Sequence, residues 1–196
     1  DPLAPQSAQL STPASLPRAD ITARNVILTA GALGGIGVSG NDIDINSSHS
    51  GDGALTIVGT GLDAFIIETI GVLGLNTVSV GPDPNGSVRT AYLTAPNPGA
   101  GASQGRILNR AAPGALNVTS GKVWLFAVGD IGEVAKPITT QAQAIEGKST
   151  TGNVVIDNSG AIEVGGVISG SFNGEDASGI QAGGSVFMGA SSPVTL

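Results

Sequence analysis

Three segments of this chain recur in the same order at a nearly constant distance. Asp20–Gly37 (DITARNVILTAGALGGIG) matches Leu116–Gly132 (LNVTSGKVWLFAVGDIG). Each is an Ile or Val, a Thr, a polar spacer, a short apolar run and a closing Gly-x-Ile-Gly. Phe65–Val78 (FIIETIGVLGLNTV) matches Val154–Val167 (VVIDNSGAIEVGGV), and Ala91–Pro98 (AYLTAPNP) matches Val186–Pro193 (VFMGASSP). Ile36 and Ile131 are 95 residues apart, Ile67 and Ile156 are 89 apart, and Tyr92 and Phe187 are 95 apart. Chance similarity between Gly-rich stretches does not preserve order. The chain therefore reads as a Pro-rich leader or linker (residues 1–19), a first super-repeat (20–115) and a second, partial one (116–196).

Within each super-repeat, apolar bursts alternate with Gly, Asn, Asp, Ser or Pro, often about every ten residues. Examples are Val26-Ile27-Leu28, Ile43-Asp44-Ile45, Phe65-Ile66-Ile67, Val123-Trp124-Leu125-Phe126 and Val154-Val155-Ile156. The β-branched content and spacing predict strands joined by turns, with almost no helical period. Pro137–Lys148 (PITTQAQAIEGK) is the one ambiguous stretch, and its alternating Gln141, Ala142, Gln143, Ala144 favours a strand. A repeat of several strand–turn cycles predicts an all-β solenoid, in which short parallel strands stack at ~4.8 Å and like residues pile on like. Circuits of roughly 20–25 residues would give about seven or eight coils.

Composition agrees with that architecture. Hydrophobic residues make up 40% of the chain but aromatics only 3%, as a narrow lumen of aliphatics and Ala requires. The chain is too apolar for disorder. Its net charge is −7 with only 8 scattered Lys and Arg, so nucleic acid and anionic membrane surfaces are not expected partners. There is no Cys, hence no disulfide framework or thiolate metal site, and no apolar run long enough for a helical membrane span. No signal peptide is legible at Asp1, as in a mature or excised sequence.

The run NVTSGKVWLFAVGDIG followed by four residues and Pro-Ile (Asn117–Ile138), and then TGNVVIDNSGAIEVGGV (Thr151–Val167), resembles the repeats of filamentous-haemagglutinin-like bacterial surface adhesins. The resemblance covers about residues 20–196. It implies a right-handed parallel β-helix, export to the cell surface of a Gram-negative-type bacterium, and a role in adhesion or biofilm. The first copy departs from the pattern. Val38–Asp42 lacks the Pro, and His49–Gly53 reads as an inserted loop.

Each candidate site has a plainer structural reading beside it. Asp42, Asp44 and Asp52 form an oxygen-rich cluster suited to Ca²⁺, but Asp42 and Asp44 alternate with Ile43 and Ile45 as a solvent face would, and the EF-hand ligand spacing is missing. No metal site or cofactor is expected. The sole His49 stands in a Ser-Gly stretch with no nucleophile elbow nearby. The paired acids Asp157 with Glu163, and Asp63 with Glu68, could serve a polysaccharide-cleaving enzyme. Because Glu68 aligns with Asp157, however, the acid reads as a repeated outer-surface feature, and no catalytic residue is expected. Trp124 and Phe126, which flank Leu125, and Tyr92 are candidate ligand-stacking residues, with bulky filling of one coil as the preferred alternative. No amphipathic helix caps either end, so the expected partners are neighbouring repeats or other copies end to end, with a host or matrix glycan or protein beyond them. The resulting expectation is an extracellular structural or adhesive element, a stalk segment or fibre subunit. A polysaccharide-degrading enzyme and a carbohydrate-binding module are the alternatives.

Overall fold

The computed structural model describes residues 19–48, 53–59, 61–81, 86–96, 105–169 and 171–196. The predicted leader therefore lies almost wholly outside the described residues. Those described contain nineteen strands and no helix. The first ten are β1 (Ile21–Thr22), β2 (Asn25–Thr29), β3 (Ile43–Asn46), β4 (Ala54–Val58), β5 (Ala64–Glu68), β6 (Val72–Val80), β7 (Thr90–Ala95), β8 (Arg106–Asn109), β9 (Val118–Ser120) and β10 (Lys122–Ala127). The remainder are β11 (Ile138–Gln141), β12 (Ala144–Ser149), β13 (Val154–Asn158), β14 (Ile162–Val164), β15 (Ser171–Phe172), β16 (Glu175–Asp176), β17 (Ile180–Ala182), β18 (Val186–Ala190) and β19 (Val194–Thr195). The ambiguous stretch at Pro137–Lys148 thus supplies β11 and most of β12.

The strands form two large parallel sheets. The first runs in the order β1-β3-β5-β7-β10-β12-β14-β19, with β17 also on β12; the second runs β18-β13-β11-β9-β6-β4-β2, with β8 also on β6. The chain crosses from one sheet to the other and back, and each return lays a new strand beside the last. Like residues consequently meet across strands: Ile43 pairs with Ile66, Ile66 with Leu93, and Leu93 with Leu125. In the second sheet Val26 pairs with Leu55 and Leu55 with Leu75.

Alternation sends every second residue of both sheets into one shared aliphatic cluster that includes Ile45, Leu55, Ile66, Leu93, Ile107, Leu125 and Ile145. Fully burying each such side chain is worth about 1.5–3 kcal/mol, so the inward rows supply most of the cohesion. That cluster contains no ring. Phe65, Tyr92, Trp124, Phe126 and Phe172 gather instead in a second group outside it. The shortage of aromatics follows from this division.

Several strands are interrupted by loops that leave the sheet and return to it. Ile36 pairs with Ala64 and Ile43 with Ile66, so eight residues of one pass cover what three cover on the next. Ile131 pairs with Val154 and Ile138 with Ile156 in the same way. Both excursions open on a Gly of positive φ, Gly37 (69°) and Gly132 (71°), and both close on a pair of backbone bonds, Val38 with Asn41 and Glu133 with Lys136. The first copy forms this turn with Asp42 where the second has Pro137. The repeated Gly-x-Ile-Gly is therefore the exit signal of an excursion.

The matched segments lie on opposite sheets. β5 and β7 belong to the first sheet, whereas β13 and β18, which carry the matching sequences, belong to the second. From β5 the chain crosses through β6, β7, β8 with β9, β10, β11, β12 and β13, an odd number of crossings. Both sheets offer the same environment, one face inward and one outward, so the repeat can move from one sheet to the other without changing its pattern.

Candidate functional site

The outer face of the first sheet carries an aromatic row. Phe65 pairs with Tyr92 and Tyr92 with Trp124, so the three rings share one register on neighbouring strands. Phe65 and Tyr92 stack face to face, with centroids 4.5 Å apart and planes 6° apart.

The segment between β14 and β17 covers this row. Both strands pair with β12, so the segment is a long excursion from a single strand position. It includes the hairpin β15–β16, and Phe172 at its tip packs on Tyr92 (4.6 Å), on Phe65 (5.7 Å) and edge-on against Trp124 (5.2 Å). Aromatic contacts of this kind contribute about 0.5–1.5 kcal/mol each beyond area burial. Polar contacts fasten the margins of this strap. Lys122 Nζ donates to the Gly166 carbonyl (2.6 Å), Ile168 N–H to Glu146 Oε2 (3.0 Å), Lys148 Nζ to Glu175 Oε2 (2.8 Å) and Asn173 Nδ2 to Asp42 Oδ2 (3.1 Å). The strap thus reaches back from β14 as far as the turn before β3.

This arrangement places the three candidate stacking residues. A sugar platform needs an open ring face. Trp124 is fully buried, Phe126 is 4% exposed, and the half-buried Tyr92 packs on both Phe65 and Phe172. Alternation correctly separated Trp124 and Phe126 from Leu125, but the rings fill a second core beneath the strap and not the interior of a coil.

The acidic residues also separate. Asp44 projects from β3, its backbone N–H accepted by Asp20 Oδ2 (3.2 Å). Its carboxyl is held above the usual range, first by burial and then by the neighbouring charges of Asp20 and Asp42. Among the described residues no group of three or more His, Cys, Asp or Glu is placed to hold a metal ion. Asp42 instead accepts the strap's Asn173, while Asp52 and His49 lie outside the described residues. Asp157 is on the second sheet and Glu163 on the first, so they do not converge. Asp63 Oδ1 accepts the Thr90 N–H (2.9 Å) at one end of β5, away from Glu68 at the other.

Glu68 is not an outer-surface acid. It shares parity with Ala64 and Ile66, points inward and is 1% exposed. Its carboxylate accepts both the backbone N–H and the hydroxyl of Ser47. Burial pushes its pKa up to about 7, against the lowering effect of the bonds from Ser47 and the Ser48 backbone. Register makes its counterpart Asn158, since Ile36 pairs with Ala64 as Ile131 pairs with Val154. Asn158 Oδ1 likewise accepts Thr140 Oγ1 (2.8 Å) and the Ala142 N–H (3.0 Å). At both places a buried side chain ties the end of one strand to the corner that follows the neighbouring strand. The alternation Ala64-Phe65-Ile66-Ile67-Glu68 carried this signal, but an alignment displaced by one residue hid it.

Comparisons of the chain with protein-family models, with curated proteins and with solved structures return no match.

Proposed function

We propose that this chain is an extracellular structural and adhesive element: a right-handed parallel β-helix of seven or eight coils, serving as a stalk segment or fibre subunit of a bacterial surface protein. One observation carries the reading. Inward ladders such as Ile43–Ile66–Leu93–Leu125 run strand after strand in register, so cohesion is spread along an axis and not concentrated around a pocket. A linear stack bonded across every step suits a load-bearing rod. The surface location rests on the resemblance of Asn117–Ile138 and Thr151–Val167 to adhesin repeats.

Negative-stain electron microscopy with sedimentation analysis tests the proposal. Elongated particles, or filaments that lengthen with concentration, are expected. Compact, near-spherical particles at every concentration would overturn the rod. Short rods that remain strictly monomeric would remove the fibre subunit and leave the stalk segment.

A further inference from the structure

Each time the chain leaves the second sheet for the first it turns a corner, and four of these corners lie side by side: those before β7, β10, β12 and β14. An open groove of about 490 Å³ runs along them. Three inter-strand steps give it a length of roughly 14 Å. Its floor is closed by bonds between successive corners. Lys122 N–H donates to the Arg89 carbonyl (2.8 Å), Gln143 N–H to the Gly121 carbonyl (2.9 Å) and Glu163 N–H to the Gln143 carbonyl (2.9 Å). Here the backbone is engaged within the chain, so these corners do not offer a strand edge to a peptide.

The side chains are in the opposite condition. Thr119, Gln141, Gln143 and Ser159 line the groove from three successive corners, and all four are exposed. Among the described residues none of the four side chains has a hydrogen-bond partner. Hydroxyl and amide groups each supply both donors and acceptors. Among the described residues no carboxylate or lysine lines the groove, and the one guanidinium there, Arg89, already has an interaction. Small apolar surfaces from Val88 and Ala161 alternate with these polar groups.

We infer that this groove binds an extended, uncharged polysaccharide lying along the stack. A chain of pyranose rings presents hydroxyls at its edges and C–H faces between them, and each ring advances by about one inter-strand step. The amides of Gln141 and Gln143, which share one corner, bond hydroxyls of a single ring, while Thr119 and Ser159 on the corners to either side hold those of its neighbours. A phosphate or uronate polymer finds no free cation here, and the net charge of −7 repels it. The inference rests on the adhesive half of the proposed function and is independent of the fibre half.

Affinity electrophoresis of the full chain tests it, using native gels that contain laminarin, hydroxyethylcellulose or galactomannan, with alginate as the acidic counterpart. Retardation by at least one of the three neutral polymers, and none by alginate, is expected. The double variant Gln141→Ala/Gln143→Ala weakens that binding about tenfold while its melting temperature stays that of the parent. Thr119→Val/Ser159→Ala is a second, independent pair with the same expected direction. Migration unaffected by all three neutral polymers, retardation by alginate alone, or full binding by both double variants would overturn the inference. Filaments are scored separately by microscopy: binding without filaments removes only the fibre reading, and filaments without binding remove only this one.

Discussion

The carboxylate of Glu68 is bonded to the hydroxyl and backbone N–H of Ser47, twenty-one residues earlier in the chain, at a place almost closed to solvent. Burial favours the neutral acid more than these bonds favour the anion, so the group titrates near neutrality in the folded chain and near 4.5 in the unfolded one.

This fixes the sign of a pH dependence. The stability linked to Glu68 is fully present below about pH 4.5 and is lost as pH rises through about 7. The distance between those two values corresponds to roughly 3 kcal/mol. Urea unfolding of the wild type should therefore show a fall across that window. Glu68→Gln should keep the Ser47 contact, flatten this part of the profile and be the more stable protein at pH 8. Equal profiles for the two proteins would contradict the assignment.

The strap is held mainly by Phe172. Phe172→Ala removes three ring contacts from a buried position and should cost about 3 kcal/mol of local stability. Trp124 is the only tryptophan, so its fluorescence reports the change directly. A red shift and greater acrylamide quenching are expected, with far-ultraviolet circular dichroism retained. An unshifted emission maximum would mean that the strap stays in place without its ring.

The ion pair at the strap margin should matter much less. Lys148 and Glu175 are both partly exposed, and such pairs contribute under about 1 kcal/mol. Lys148→Met should leave the Trp124 emission unchanged and lower stability only slightly, with the difference from wild type shrinking in high salt.

Two glycines with similar backbones should respond differently to alanine. Gly132 has φ of 71°, and an added methyl group would lie 2.2 Å from the Val155 carbonyl oxygen. Gly114 has φ of 80° with open space around it. Gly114→Ala should cost about 1–2 kcal/mol for its backbone conformation alone. Gly132→Ala should add the overpacking cost of about 1–3 kcal/mol. Chemical denaturation of the two variants side by side measures the gap, and equal losses would count against the close approach.

Period-2 alternation made most strands legible. Val26–Leu28, Ile43–Ile45 and Val154–Ile156 stand in strands as read, and the absence of helix among the described residues follows from the same pattern. Parity also placed Trp124 opposite Leu125. It could not say what covers that face, because Phe172 comes from a Gly- and Ser-rich segment with little apolar content, and its ring partners are 48 to 107 residues distant. Glu68 was misplaced for a different reason. Excursions lengthen some passes and not others, and setting Phe65 instead of Ala64 against Val154 slips the comparison by one residue, which exchanges inside for outside. The sheet to which each copy belongs was beyond reach, since both sheets impose the same alternation.

The opposite placement of the two copies has a consequence for any longer array that keeps the same offset. In the proposed β-helical rod, successive copies would be out of phase by half a revolution about the long axis. Whatever an excursion displays on one side of the rod, the next copy would display on the other, and only every second copy would bring it back. Such a rod would be decorated evenly around its circumference by one kind of sequence unit, and a flat surface pressed against it would touch alternate copies.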